Sequence, residues 1–235
     1  MDEPALFDLL TWMSPAWPIG AFAHSGGLEW AVEAGHVTTR AACEAWIGDL
    51  LAHGPLHNEA MLFVHAFRAA RAGDQPRLTQ IAELAAAAQS GAERHLETTA
   101  QGAAFLRIAR DATAPTAFAA LLADVPAGEL AYPVAAATLF ACHGIGEKPA
   151  LTAYLHGAVA NLVSAAQRLV PLGQTDGQRT LMALRPAVLA LAETAIATTI
   201  ANAGGDPFVD LSGCSLVADI GCIAHETQYT RLFRT

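Results

Sequence analysis

Apolar residues recur at steps of three and four along most of this chain, the spacing that places side chains on one face of an α-helix. Sustained alternation of apolar and polar residues, the pattern of a half-buried strand, is hard to find. Segments 148–170 and 176–201 carry the clearest stripes, formed by Leu151, Leu155, Ala158, Leu162, Ala166, Leu169, Leu181, Leu184, Val188, Leu191 and Ala195. The pattern predicts an all-α protein in which the helix 148–170 is central.

Shorter helices are predicted at 5–13, 26–33, 40–53, 59–70, 76–89, 92–111, 115–122 and 132–143. The sequence Pro171-Leu172-Gly173 ends the helix 148–170, and Pro186 either kinks the helix 176–201 or marks its start. Connections are short, and no long linker, charge block or fixed repeat divides the chain. We therefore predict a single helical-bundle-like domain of roughly ten helices over 1–235. A break at 202–207 leaves an irregular C-terminal tail over about 202–235, which we expect to dock on a partner.

The composition is compatible with surfaces for partners and argues against a nucleic-acid binder. Hydrophobic residues make up 53% of the 235 positions and charged residues only 15%, against about 25% in a typical soluble domain. The alternative is an alanine-rich chain that exposes small apolar side chains harmlessly. The formal net charge is -9, and the 13 Lys and Arg residues are scattered along the chain. Binding to phosphates would require clustered cations.

The sequence predicts a cytoplasmic protein with reduced thiols and no membrane span. Residues 2–4 are Asp, Glu and Pro, where a secretory signal would begin with a basic region. The uncharged segment 149–167 is long enough to raise the question of a membrane span, but four polar residues interrupt it, and we interpret it as a core helix. No close pairing that would suggest a disulfide framework or a zinc ribbon is found among Cys43, Cys142, Cys214 and Cys222.

Three enzyme motifs fail on inspection. Ala23 stands where a G-x-S-x-G nucleophile elbow around Ser25 needs its first glycine. His225 and Glu226 start like a zincin helix, but Tyr229 occupies the position of the second histidine. The chain contains no G-x-x-x-x-G-K-[ST] loop, so nucleotide chemistry would have to come from a partner.

Two groups of residues could bind a metal. His57, Met61 and His65 follow one another at four-residue steps, which would align three donors on one helix face. Cys222 and His225 supply two further donors and would need others from elsewhere in the fold or from a second chain. We favour ordinary packing for both groups and assign no metal ligand.

The segment 14–29 concentrates helix stops, turn glycines and aromatic residues. Its two prolines fix φ and lack amide donors, while Gly20, Gly26 and Gly27 allow conformations closed to other residues. We therefore predict a shaped connection between two helices.

A second concentrated segment surrounds Arg168. This arginine follows an apolar stripe at a predicted helix end, where a cation interacts favourably with the backbone dipole. It could instead reach a phosphate or carboxylate of a partner. Gln174, Thr175 and Asp176 are predicted to form the turn and N-cap of the next helix.

Three separated regions together resemble the UreF family of urease accessory proteins: S-P-x-x-P-I-G-x-F-x-x-S-x-G-L-E, R-L-V-P-L-G-Q-T-D-G-Q and R-L-F-R-T. They span nearly the whole chain in the order and spacing of that family. Only Trp17 and Thr235 depart from the expected leucine and serine. The motif residues that carry the resemblance are Pro18, Gly20, Phe22, Ser25, Gly27, Leu28, Pro171, Gly173, Gln174, Asp176 and Gly177.

The resemblance implies an all-helical assembly factor without catalysis of its own. Such a protein forms a homodimer, binds UreD (also called UreH), and with it recruits the GTPase UreG to the urease apoprotein. No bound cofactor is implied, because nickel is handled by the whole complex. The resemblance further implies that Glu29 and Arg168 face UreG, and that the terminal docking residues are Arg231, Leu232, Phe233 and Arg234.

Two alternatives remain open at this point. The chain could be a nickel carrier that uses the histidine, methionine and cysteine donors described above. It could also be a GTPase-activating protein in the strict sense, with Arg168 inserted as a transition-state cation.

Overall fold

A computed structural model describes residues 2–113, 116–202 and 205–235 and contains helices without strands over these ranges. The prediction of an all-α fold with roughly ten helices is confirmed. Two short 3-10 helices cover Ala21–Ala23 and Pro207–Asp210. The α-helices are α1 (Glu3–Trp12), α2 (Leu28–Glu33), α3 (Arg40–Ala52), α4 (Pro55–Ala72), α5 (Gln75–Ala87), α6 (Ala92–Ala112), α7 (Thr116–Leu121), α8 (Tyr132–Cys142), α9 (Glu147–Leu169), α10 (Gln174–Ala201) and α11 (Leu216–His225).

Proline and glycine positions explain the main differences between predicted and observed helix ends. Helix α4 begins at Pro55, four residues before the predicted start, because proline suits the first turn of a helix. Gly173 precedes α10, so Gln174 and Asp176 lie inside the first turn and the predicted polar N-cap is wrong. Pro186 lies within α10 and does not start it. Pro115, the predicted start of α7, lies outside the described residues.

The C-terminal segment is only partly irregular, and the prediction of an irregular tail is wrong for its middle. It contains the 3-10 helix Pro207–Asp210 and the helix α11, which packs against α2 and α6. This helix lacks an amphipathic pattern in the sequence, because apolar residues cover its exposed face as well as its buried face. Residues 203 and 204, within the predicted break, lie outside the described part of the chain.

Helix α8, and not α9, forms the centre of the molecule. All residues from Tyr132 to Ala141 are buried, and α8 packs against α4, α5, α6, α7 and α9. Helix α9 buries Leu151, Leu155, Leu162 and Ala166 of its predicted stripe, leaves Ala158 and Leu169 half-buried, and exposes His156. The prediction that α9 is central is therefore wrong, because an amphipathic helix covers a core whereas an apolar one can be enclosed by it.

Aromatic side chains bring the central helices together. The ring of Phe140 on α8 contacts Trp12, Phe63 and Phe105, with centroids 5.5, 6.1 and 6.4 Å away. These residues come from α1, α4 and α6, so a single core residue joins four helices. Aromatic pairs of this kind contribute about 0.5–1.5 kcal/mol beyond the burial of their area.

Helix α10 is the one described helix that is long and apolar enough to cross a membrane, by length and composition alone. The segment 149–167, which raised that question in the sequence, does not meet the same test within the described residues. Helix α10 packs along α9, α3 and α4 and buries Leu184, Val188, Leu191 and Ala195 as predicted. One such helix is weak evidence for a membrane span, because core helices satisfy the same criteria.

Candidate functional site

The N-terminal motif forms the shaped connection that its prolines and glycines predict. It joins α1 to α2 and contains the short 3-10 helix Ala21–Ala23. Gly20 and Gly27 have φ angles of 78° and 84°, in the left-handed region that favours glycine. Ser25 and Leu28 are completely buried, so this connection is anchored in the protein at its C-terminal end.

Gly27 also allows α11 to approach α2 closely. A Cβ atom at this position would lie only 2.7 Å from Sγ of Cys222. On the other side of the contact, a Cβ atom on Gly221 would lie 2.6 Å from Cε3 of Trp30. Two glycines therefore face the partner helix where α2 and α11 meet, and larger residues would push the helices apart.

The terminal residues lie along the N-terminal motif. The amide of Arg234 donates to the carbonyl oxygen of Ala23 at 2.8 Å, and the amide of Ser25 donates to the carbonyl oxygen of Thr235 at 2.7 Å. The Ser25 hydroxyl also donates to that carbonyl oxygen, and Nδ1 of His24 lies 2.6 Å from Oγ1 of Thr235. The first and last of the three motif regions are thus joined directly.

Glu29 is a buried acceptor that holds the tail and α11 together. It is 6% exposed and accepts the amides of Leu232 and Phe233 at 2.6 and 2.9 Å. Nε2 of His225 lies 3.0 Å from the same carboxylate. The carboxylate of Glu29 is therefore already bound by groups of the same chain. The family resemblance assigns this residue to a contact with a partner.

His225 is fully buried between two carboxylates. Its Nδ1 lies 2.7 Å from Oε2 of Glu93, and Arg231 reaches the other oxygen of Glu93 at 3.0 Å. Each ring nitrogen of His225 therefore lies within hydrogen-bond distance of a carboxylate, one from α2 and one from α6. The four side chains of Glu29, Glu93, His225 and Arg231 thus join α2, α6, α11 and the tail.

Arg168 connects the central motif to the other two. Its guanidinium carbon lies 3.6 Å from the ring centre of Phe22 and 4.1 Å from that of Phe233, so the cation is stacked between the first and last motifs. Its Nε donates to the carbonyl oxygen of Ser164 at 3.3 Å, while Nη2 is buried without a hydrogen-bond partner in the described structure. Burial lowers the pKa of Arg168.

We call the place where residues 22–29, Arg168 and residues 231–235 meet the motif junction. Phe22 is 68% exposed and Phe233 is 3% exposed, so the junction runs from the surface into the core. Arg231, Leu232 and Arg234 are exposed along the tail. The sequence predicts each segment separately, but only the fold brings the three together.

The rest of the central motif forms the start of α10 beside the end of α9. Gly177 is buried against Gln167, and a Cβ atom at Gly177 would lie 2.5 Å from the Gln167 amide nitrogen. Among the other motif residues the structure places Asp176 half-buried and exposes Pro18, Gly20, Pro171, Gly173 and Gln174. Of these, Pro171, Gly173, Gln174, Asp176 and Gly177 shape the connection between α9 and α10, while Pro18 and Gly20 belong to the connection between α1 and α2.

A buried polar network adjoins the junction. Arg94 donates to Glu59 at 3.1 Å and to Glu97 at 2.7 Å, and the Tyr154 hydroxyl donates to Glu59 at 2.7 Å. Burial raises the pKa of Glu59, and Arg94 partly opposes this effect. These residues and His24 line a cavity of about 50 Å³, which is large enough for a few water molecules.

The described residues contain no group of three or more His, Cys, Asp and Glu side chains placed to hold a metal. Met61 is buried in the core, and Nε2 of His65 is paired with Asp210 at 2.7 Å. Nε2 of His57 lies 3.2 Å from the Ser212 hydroxyl. Burial raises the pKa of the Cys222 thiol to about 12, which disfavours the thiolate that metals bind. The arrangement does not support the nickel-carrier alternative.

Sequence reasoning missed Glu93 and assigned His225 only to a possible metal pair. Glu93 lies in the first turn of a polar helix and resembles a surface residue in the sequence. Its burial depends on contact with α11 and the tail, more than 130 positions away. No local pattern could have revealed this pairing.

The fold and the motif junction define an all-helical protein in which three sequence motifs meet where the helices contact a C-terminal tail. A family model named UreF matches residues 37–185, more than half of the chain. The chain is 48% identical over 231 residues to the urease accessory protein UreF of Rhodopseudomonas palustris (strain HaA2), covering 98% of this chain and 94% of the relative. It is 46% identical over 235 residues to the protein of that name from Bradyrhizobium sp. (strain BTAi1 / ATCC BAA-1182), covering 100% and 94%. The chain belongs to the UreF family of urease accessory proteins.

Proposed function

We propose that this chain is a non-catalytic assembly protein that acts as a cytoplasmic homodimer in the maturation of urease. It bridges UreD (UreH) and the GTPase UreG on the urease apoprotein and couples GTP hydrolysis to nickel insertion. Family membership supports the role in urease maturation. The observation that carries the bridging role is the motif junction, because all three motif regions converge on one joint and none forms a catalytic site in the described residues.

Helix α11 and the tail offer a surface suited to UreD. Leu216, Val217, Ile220 and Ile223 are half or more exposed, and Leu232 extends this apolar face. Exposed apolar patches of this kind mark interaction sites on proteins. Phe233 is buried, so the docking role proposed for the tail rests on Leu232 and the exposed Arg231 and Arg234.

Arg168 and Phe22 offer a second surface, which we assign to UreG. The guanidinium retains an unpaired donor, and the exposed Phe22 ring lies beside it. Because Nη2 is buried, a carboxylate or phosphate of the partner would pair with that donor only if the Phe22 ring moved aside. Glu29 contributes indirectly, since it would reach a partner only if the tail moved away.

Co-expression of this chain with UreD and UreG tests the bridge. We expect size-exclusion chromatography with light scattering to show one complex that contains all three proteins. A stable free monomer in the presence of both partners would contradict the proposal.

Arg168→Ala tests the UreG surface, with Phe22→Ala as its matched control for lost stacking. We expect Arg168→Ala to reduce UreG recruitment and urease activation by more than Phe22→Ala does, because only the first change removes the donor. UreD binding should persist in both variants. Unchanged activation with Arg168→Ala would rule out this role.

Removal of residues 231–235 tests the UreD surface. We expect the shortened chain to lose UreD in co-purification, because the tail and α11 share the contacts around Glu29. The double variant Ile220→Glu/Ile223→Glu keeps the tail and should show the same loss. Undiminished co-purification of both variants with UreD would refute the assignment.

Strict GTPase activation of UreG remains a second candidate, because Arg168 retains an unpaired donor. A transition-state arginine is worth about 10³ to 10⁵ in rate. Measurement of GTP hydrolysis by UreG with and without this chain separates the two functions. A bridging protein changes complex formation, whereas an activator of this kind raises the hydrolysis rate and loses that effect with Arg168→Lys.

A further inference from the structure

An apolar groove lies between α1, the first half of α9 and α10. Its volume is about 690 Å³. Leu6 and Leu10 of α1 form one wall, Met182 and Leu189 of α10 form the other, and Ala153 of α9 lies between them. Residue 156, the last groove residue on α9, precedes Arg168 by about 18 Å of helix. No residue of the motif junction or of α11 lines the groove, so it is a separate surface from both.

The walls of the groove expose large side chains that water solvates poorly. Leu10 is 65% exposed and Met182 is 57% exposed, and Leu6 and Leu189 are each exposed by more than a third. Full burial of each such side chain contributes about 1.5–3 kcal/mol. Two apolar walls with a gap between them form the kind of groove that binds the apolar face of a helix.

The formally charged side chains that line the groove are both cations. Its lining includes Lys148 and Arg185 and no aspartate or glutamate, although the chain has 22 acidic and 13 basic residues. Lys148 has an exposed ion pair with Glu193 at 2.7 Å, which contributes little. Arg185 has no ion pair in the part of the chain that the structure describes. An acidic chain has thus placed Lys148 and Arg185 beside this apolar groove.

We propose that this groove binds an amphipathic helix of a partner protein, with leucine-type side chains on its apolar face and carboxylates along its flanks. The apolar face fills the space between α1 and α10, and the carboxylates lie against Arg185 and Lys148. Electrostatic complementarity then selects an acidic helix over a basic one. This inference goes beyond the bridging proposal and does not depend on which partner binds the motif junction.

The test uses the fact that Lys148 is the only lysine of the chain. Reductive methylation of the full chain with ¹³C-formaldehyde labels Lys148 and the α-amino group and keeps the charge of both. The probe is a leucine–glutamate peptide of about 12 residues with helical spacing, long enough to span about 18 Å. We expect a saturable shift of the Lys148 methyl signal, and binding at least about tenfold weaker for the leucine–lysine peptide of the same pattern.

Matched variants locate the site. Met182→Glu on the groove wall should abolish binding of the leucine–glutamate peptide, whereas Ile220→Glu on the exposed face of α11 should leave it unchanged. Arg185→Glu should weaken the acidic peptide about tenfold or more and improve the basic one. Circular dichroism of each variant checks that the helices are retained, so that a loss of binding is not a loss of fold.

Three results would overturn the proposal. The first is no saturable shift of the Lys148 signal with the acidic peptide. The second is equal affinity for the acidic and basic peptides, or binding that Met182→Glu leaves intact. The third is a wild-type dimer that Met182→Glu converts to a monomer in light scattering, which would assign the groove to a second copy of the chain.

Discussion

At the scale of single residues, buried charges in this protein are held by several partners at once. Glu29 binds two tail amides and His225, Arg94 binds Glu59 and Glu97, and Glu93 binds His225 and Arg231. A buried charge is costly unless it is paired and hydrogen-bonded. Removal of one member therefore leaves its partners buried without a hydrogen-bond partner. Substitutions here should lower the stability by more than the number of atoms removed suggests.

Glu59→Ala is expected to lower the free energy of unfolding by about 3–5 kcal/mol, because Arg94 and the Tyr154 hydroxyl then lose the carboxylate to which both donate in the core. Glu59→Gln retains an acceptor for both donors and should cost less. Urea denaturation followed by circular dichroism measures both. The exposed Glu83→Ala on α5 is the control and should change little; an effect of Glu59→Ala no larger than this would contradict the importance of the network.

At the scale of elements, the packing of α11 on α2 depends on positions without side chains. Gly27 and Gly221 lie where a Cβ atom would approach the opposing helix within 3 Å. Helix α11 in turn positions His225, and with it Glu29 and the tail. The position of the C-terminal segment therefore depends on the close contact that these two glycines allow.

We expect Gly27→Ala to destabilise the packing of α11 on α2. This loss should exceed the local destabilisation that Gly35→Ala causes around residue 35. Both glycines have positive φ, 84° and 80°, so both substitutions introduce backbone strain, but nothing lies within 4 Å of a Cβ atom on Gly35. The difference isolates the clash with Cys222, which we expect to cost about 1–3 kcal/mol. Hydrogen exchange of the amides in 216–225 measures it. Equal protection of α11 in the two variants would show that the close approach is unimportant.

At the scale of the whole molecule, buried histidines connect the stability of the fold to pH. Burial lowers the pKa of His24 and of His65, and the hydrogen bond between His65 and Asp210 partly opposes the shift. As pH falls below the unfolded value of 6.5, the unfolded chain binds more protons than the folded one. The stabilisation present above that pH is then lost as pH decreases toward the lowered pKa of the folded state.

We expect the urea midpoint to fall between about pH 7.5 and pH 5.5, and to fall less in His65→Gln, because glutamine can still donate to Asp210 but does not titrate there. His95→Gln, at an exposed position on α6, is the matched control and should retain the wild-type pH dependence. If His65→Gln and His95→Gln have identical slopes, His65 does not contribute to the pH dependence.

The sequence by itself determined the helical class, most helix positions and the family. Helical periodicity and the positions of proline and glycine are local properties, and local interactions suffice to express them. The stripe in α10 lies on its buried face as predicted, and the glycines of 20–27 adopt the turns that they predict. The three motif regions carried the resemblance to UreF without any knowledge of their contacts.

Only the tertiary structure decided what those motifs touch. The stacking of Arg168 between Phe22 and Phe233, and the binding of tail amides by Glu29, join residues that are 65 to 204 positions apart in the sequence. The burial of Glu93, the enclosure of α8 and the groove beside α1 likewise depend on how helices distant in the sequence pack together. Periodicity tells which face of a helix is apolar, but it does not specify which helix covers that face or which charges meet beneath it.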